Sequence, residues 1–228
     1  MAAAERRILT LAIVLASAMV AQAFGRFTWG VVLPDARDDL LDGSNTAAGL
    51  FGSLNVGAYL LGTIVVAWLA SRSSLVGLVK VGLVLSTSGL ALASFTTRPA
   101  VLALALVIMG LGGAIIWVPV PGIAARQFPP ERRGLATGIA GVGIGVGIVF
   151  AGRMAAFLRS GEQDVWQTLY RIELCIALIV IASALHRCVV VVVAVVVVAE
   201  HQRRRLAHRL ERRAHRIRTL LEVLVQLD

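Results

Sequence analysis

Few side chains in this sequence are placed where they could do chemistry, and Arg26 is the sharpest of them. It stands in an apolar run, Ile8–Leu33, eight residues before Pro34; on helical rise that puts it about 12 Å below the end of the run. Asn55 stands nine residues after Thr46 in the next apolar run, about 14 Å in from its start and so at a similar depth if the two runs are antiparallel helices. Gln22 lies four residues before Arg26, and Tyr59 four after Asn55, so each pair shares a helix face. One polar layer across two helices is the expectation. If the runs cross a bilayer, an arginine there costs roughly 2.5 kcal/mol or more on insertion scales and should face a cavity or a partner. It is then an anion or substrate contact, or else a side chain that snorkels to the headgroups or bonds backbone carbonyls. Asn55 and Gln22 are substrate contacts or interhelical hydrogen bonds.

Glu173 is the one carboxylate well inside an apolar run. Buried, it is a candidate proton-coupling group; near the membrane surface, it would pair with Arg171. Trp117 is a cavity-lining candidate, with a place in the interfacial aromatic belt as the alternative. Pro119 should kink its helix, because proline removes a backbone donor and clashes with the preceding turn.

Other chemistries find little support. His186, His201, His208 and His215 have no acids or thiols beside them in a metal-ligand pattern. No serine, histidine and aspartate set assembles within the runs, so no catalytic residue, metal or cofactor is expected and the chain is not read as an enzyme. Gly141-Val142-Gly143-Ile144-Gly145 resembles a nucleotide fingerprint only superficially, since no soluble strand precedes it and no acid follows at the right distance. Gly134/Gly138, Gly141/Gly145 and Gly143/Gly147 are instead GxxxG pairs suited to close helix packing. Cys175 and Cys188 lie thirteen residues apart, about 20 Å along one helix and too far to bridge.

These residues must be positioned by membrane helices. Of the 228 residues, 58% are hydrophobic and 15% charged, with a mean hydropathy of +0.84; a soluble surface needs about 25% charged residues. Six runs reach the roughly 20 residues that a span requires: Ile8–Leu33, Thr46–Ala70, Leu75–Phe95, Ala100–Ile123, Leu135–Leu158 and about Val165–Leu185. Arg6 and Arg7 before the first run resemble a signal peptide, but the run is too long for one. The fold class expected is an all-α membrane bundle over residues 1–187. Asp35, Asp38, Asp39 and Asp42 are read as the first outer loop, and Trp166 and Tyr170 as interface anchors. A cytoplasmic N-terminus places Arg6, Arg7, Arg72, Lys80, Arg126, Arg132 and Arg133 inside, and Arg37, Arg98, Arg153, Arg159 and Arg171 outside, a modest inward bias. The net charge of +9 is thus spread between apolar runs, and no nucleic-acid partner is expected.

Residues 188–228 differ in kind. A valine tract leads into eight arginines between Arg203 and Arg218. The segment reads as a basic amphipathic helix on an anionic lipid surface, as a disordered tail, or as a non-native product of a frameshift.

Three blocks carry a family resemblance: Phe24-Gly25-Arg26-Phe27-Thr28-Trp29-Gly30 with Leu33-Pro34; Ala48-Gly49-Leu50-Phe51-Gly52-Ser53-Leu54-Asn55 with Gly57-Ala58-Tyr59-Leu60-Leu61-Gly62; and Phe128-Pro129-Pro130-Glu131-Arg132-Arg133-Gly134. Over about residues 8–185 the chain resembles the N-terminal six-helix half of a major facilitator superfamily transporter, of the YbfB/YjiJ-type branch. The third block, with Glu131, Arg132 and Arg133, matches the link between spans four and five. The superfamily's charged loop between spans two and three is reduced here to Leu69-Ala70-Ser71-Arg72, where Arg72 alone matches.

The resemblance implies a secondary active transporter of a small solute in the cell membrane, working by alternating access and coupled to protons or ions. Such transporters rock two halves about a midplane site, and six spans supply one wall. The partners expected are therefore the lipid bilayer, an unidentified small-molecule substrate, and a second copy or partner half. The alternatives are a truncated or half-size fragment without transport activity alone, or a membrane-anchored interaction protein. Gln22, Arg26, Asn55, Tyr59 and Trp117 are the substrate-cavity candidates and Glu173 the proton-coupling candidate. Gly134, Gly138, Gly141 and Gly145 are the helix-packing candidates, and Arg72, Glu131, Arg132 and Arg133 those of the cytoplasmic loops.

Overall fold

Helix after helix follows from the apolar runs, and polar links with capping residues end each one. A computed structural model describes residues 2–161 and 164–185, all helix, turn or link, with no strand among them. The elements are α1 (Ala2–Ala18), a π-helical segment (Met19–Phe27), α2 (Thr28–Leu40), α3 (Asn45–Ala70), α4 (Leu75–Phe95), α5 (Pro99–Trp117), α6 (Val120–Ala125), a short 3₁₀ turn (Pro130–Arg132) and α7 (Arg133–Arg159). The last described helix, α8, runs Val165–Leu185. Met1–Ala184 form one compact unit. The histidines from His186 onward and the expectations for residues 188–228 lie outside the described residues.

Among the described residues, six stretches are long and apolar enough to cross a membrane: Ile8–Leu40, Asn45–Ala70, Leu75–Phe95, Pro99–Ala125, Pro130–Arg159 and Val165–Leu185. All six expected spans are present. Ser44 and Ser74 cap α3 and α4, accepting from the backbone N–H groups of Ala47 and Gly77. Pro99 opens α5, where its missing N–H costs nothing.

The first span corrects the sequence reading. The helix does not end at Leu33 but continues through Pro34 to Leu40, so Asp35, Asp38 and Asp39 are helical and only Asp42 lies in the link. Membrane helices tolerate proline when neighbours satisfy the freed backbone, and the charged last turns are held by side-chain contacts. Arg159 of α7 donates to both Asp35 oxygens, at 2.6 and 3.2 Å, and to the Val31 carbonyl at 2.7 Å. Asp42 (φ 50°) and Gly43 (φ 72°) then adopt left-handed backbone that turns the chain into α3.

Two aromatic residues are corrected as well. Trp166 and Tyr170 are buried in the bundle rather than standing as interface anchors. The Trp166 indole N–H reaches the exposed Asp39, in the last turn of α2, at 2.8 Å. Pro119 behaves as expected: it falls at the break between α5 and α6.

Of the three glycine pairs expected to pack closely, one does so, Gly143/Gly147. A Cβ at Gly143 would strike the Leu15 carbonyl, and one at Gly147 would strike Ala23 and Met19. At Gly134, Gly138, Gly141 and Gly145 a Cβ would meet nothing within 4 Å among the described residues. Both kinds of pair satisfy the GxxxG spacing, but only the Gly143/Gly147 face is turned towards the first span.

Candidate functional site

The polar layer expected across two spans is present, and it takes in a third. It centres on the π-helical segment. In that segment the backbone bonds reach five residues back, as in Thr28 N–H to the Ala23 carbonyl. Such wide turns are rare and cluster at functional positions. Gln22 and Arg26 both lie within it.

Arg26 is half-buried. One guanidinium nitrogen donates to Gln22 Oε1 at 3.3 Å, and the guanidinium carbon stacks 4.1 Å from the Tyr59 ring centre and 5.4 Å from that of Phe27. Among the described residues it has no carboxylate within ion-pair distance; the two pairs found there are Arg37–Asp38 and Arg159–Asp35. Among the described residues the side chain neither bonds a backbone carbonyl nor pairs with an acid.

Gln22 and Asn55 are buried and tie helices together. Gln22 Nε2 donates to the Gly113 carbonyl of α5 at 3.3 Å. Asn55 Nδ2 donates to the Gly25 carbonyl of the π-helical segment at 3.1 Å and to the Leu106 carbonyl of α5 at 2.7 Å. One amide thus pins three spans. The approach is permitted by Gly110, where a Cβ would run into the Asn55 carbonyl. Trp117 sits one turn beyond Gly113 on α5, half-buried against the core; no hydrogen bond or ring contact joins it to Arg26 among the described residues.

Glu173 of α8 is completely buried. It is not paired with Arg171, whose guanidinium instead bonds the Ser94 carbonyl and Gln167 Oε1. Thr28, which shows no sequence signal beyond its place two residues after Arg26, comes within 2.6 Å of Glu173 Oε1 and 3.2 Å of the Ala23 carbonyl. Glu173 Oε2 and the Tyr170 hydroxyl, one turn apart on α8, have no hydrogen-bond partner among the described residues. Of the loop candidates, Arg72 stacks 4.1 Å over Trp68, and Glu131, Arg132 and Arg133 are exposed. No group of three or more metal-ligating side chains occurs among the described residues.

Six apolar helices with a polar layer at depth define a multi-pass helical membrane protein. A sequence model of the Major Facilitator Superfamily matches residues 10–225, and the chain belongs to that family. Among solved structures it is similar to the xylose transporter XylE from E. coli in an inward-open conformation, with 15% identity and a TM-score of 0.64. That likeness, which is one of fold, covers 78% of this chain and 47% of the XylE chain, so the chain spans about half the length of that transporter. No curated protein matches the sequence.

Proposed function

We propose that the chain forms one wall of a secondary active transporter that moves a small solute by alternating access, with Arg26 and Tyr59 facing the solute and Glu173 coupling transport to protons. The observation that carries this reading is the half-buried Arg26 guanidinium, stacked on Tyr59 and lacking an acidic partner among the described residues. A cation at such depth is costly unless it works on a cavity or pathway. Gln22 and Asn55 hold the layer in place from behind, and Trp117 borders it along α5. The chain acts as a transporter rather than as an enzyme.

Glu173 supports the coupling role by its place. Thr28 has a single hydroxyl hydrogen, and both the carboxyl and the Ala23 carbonyl are within its reach. When Glu173 is ionised, that hydrogen bonds the carboxylate. When Glu173 is protonated, the acid itself donates and frees the hydroxyl for the backbone of the segment that carries Arg26. A proton on α8 is thereby felt at the solute-facing residue.

We place the N-terminus in the cytoplasm and the protein in the cell membrane. At the end of the bundle that this assigns to the outside, Arg37 and Arg159 are paired with acids. Arg72, Arg126, Arg132 and Arg133 stand at the opposite end without such pairs among the described residues. The Phe24–Gly30 block favours the YbfB/YjiJ-type branch.

A second reading is a half-size unit that completes its cavity with a second copy or a partner half. It is favoured by α3 and α7, whose spans are 28% and 24% buried against 50% for the first and fourth.

Both readings are tested in proteoliposomes carrying the full chain, with an imposed pH gradient and a panel of radiolabelled sugars, amino acids and organic acids. Flux that Arg26→Ala abolishes at unchanged protein level supports the site, and unaltered flux removes Arg26 from it. Crosslinked dimers in the active fraction favour the half-size unit; activity from strictly monomeric chains excludes it.

A further inference from the structure

The four polar side chains of the layer, Gln22, Arg26, Asn55 and Tyr59, differ in what they have left to offer a solute. Both ends of the Gln22 amide are engaged, one by Arg26 and one by the Gly113 carbonyl. The Asn55 amide nitrogen bonds two carbonyls. Tyr59 presents its ring face to the guanidinium. Arg26 itself has one hydrogen bond among the described residues, so most of its N–H donors, arranged in a planar fork, stay uncommitted.

Three arginines near this side of the bundle are treated differently, whereas the exposed Arg98 and Arg153 have no side-chain hydrogen bond or ion pair among the described residues. Arg37 and Arg159 face carboxylates, and Arg171 is held by the Ser94 carbonyl and by Gln167. Arg26 is the deeper charge, yet it has only an amide oxygen and two ring faces. Aromatic faces orient a guanidinium without neutralising it. A planar fork that is fixed in direction and lacks a counter-charge matches an oxyanion, which it can bind through two parallel bonds. The exposed Phe27 ring beside it offers apolar surface to the rest of such a molecule.

We infer that the Arg26 site takes a small organic carboxylate, bound through two oxygens by the guanidinium fork, with its apolar body against Phe27. The inference rests on the transporter reading above and names its substrate class. A neutral solute would leave the charge uncompensated. The same oxyanion chemistry could be met by the phosphate of a lipid headgroup, so the test separates the two sources.

The purified full chain is studied in uncharged detergent by thermal unfolding, with benzoate, lactate and succinate set against benzamide, lactamide and succinamide. At least one acid is expected to raise the midpoint by roughly 5 °C at about a hundredfold excess over half-saturation, while its amide does not. Arg26→Gln should abolish the shift, and Arg98→Gln, at an exposed site in the link before α5, should retain it. Should Arg26→Gln fail to fold, Arg26→Lys keeps the charge without the fork and should weaken binding about tenfold. Equal stabilisation by acids and amides would overturn the anion inference and leave the solute site standing. No stabilisation by either class would remove both. An Arg26-dependent shift seen only on adding phosphatidylglycerol would assign the site to lipid and overturn the inference.

Discussion

The guanidinium carbon of Arg26 lies 4.1 Å from the centre of the Tyr59 ring, and this stack joins the first span to the second at the level of the polar layer. Attraction of this kind is worth about 0.5–2 kcal/mol, more when water is excluded. Tyr59→Leu should therefore weaken solute affinity roughly 2- to 30-fold, while Tyr59→Phe keeps the ring and most of the affinity. The half-saturation of flux measures both. Wild-type half-saturation in the leucine variant would show that the stack does not serve binding.

Asn55 should matter to assembly more than to solute. Asn55→Leu removes two interhelical bonds, each worth about 0.6 kcal/mol on average and up to about 1.7 in membranes. The unfolding midpoint in detergent should fall by several degrees, and the half-saturation of the surviving folded protein should change little. A variant with an unchanged midpoint but poor affinity would move Asn55 into the solute site.

Glu173→Gln should flatten the pH dependence of flux, because the group that exchanges the proton is gone. Thr28→Val removes the hydroxyl within 2.6 Å of the carboxyl and should displace the pH profile, with Thr28→Ser restoring it. A structural role alone would lower the amount of folded protein without moving the profile. Infrared difference spectra between wild type and Glu173→Gln identify the carboxyl band and follow its protonation directly.

The glycines of α7 should divide by face. Gly147→Leu forces a side chain into Ala23 and Met19, and overpacking of this kind costs about 1–3 kcal/mol or more. Gly141→Ala and Gly145→Ala, open in this unit, should leave its unfolding midpoint within about a degree of wild type. Equal losses at all three would mean that the second pair is packed as well.

How much of this was legible in the sequence follows from what each feature depends on. Hydropathy and length located six spans because a bilayer imposes both, and the i, i+4 spacing of Gln22/Arg26 and Asn55/Tyr59 put the four side chains at matching depth. The end of the first helix is hidden in the sequence because Pro34 and a run of acids look like a link. The helix survives there because Arg159, more than a hundred residues away, holds Asp35, and no local pattern announces that. The choice between Gly143/Gly147 and Gly141/Gly145 depends on the rotation of α7 about its axis, which the motif leaves open. Thr28 carries no signal for a similar reason: a lone hydroxyl gains meaning only when Glu173 arrives from the sixth span. The partners of Asn55 are backbone carbonyls, which have no side-chain signature at all.

The π-helical stretch Met19–Phe27 gives the first span a slack winding. A chain paired at five residues advances less far round its axis per residue than one paired at four, so tightening any part of the stretch to α pairing must twist one end of the rod against the other. Asn55 clamps the stretch at Gly25, and α7 grips it at Met19 and Ala23. The first span is therefore built like a torsion spring held in two clamps, and a rewinding of a few residues would turn Arg26 aside without any helix having to slide.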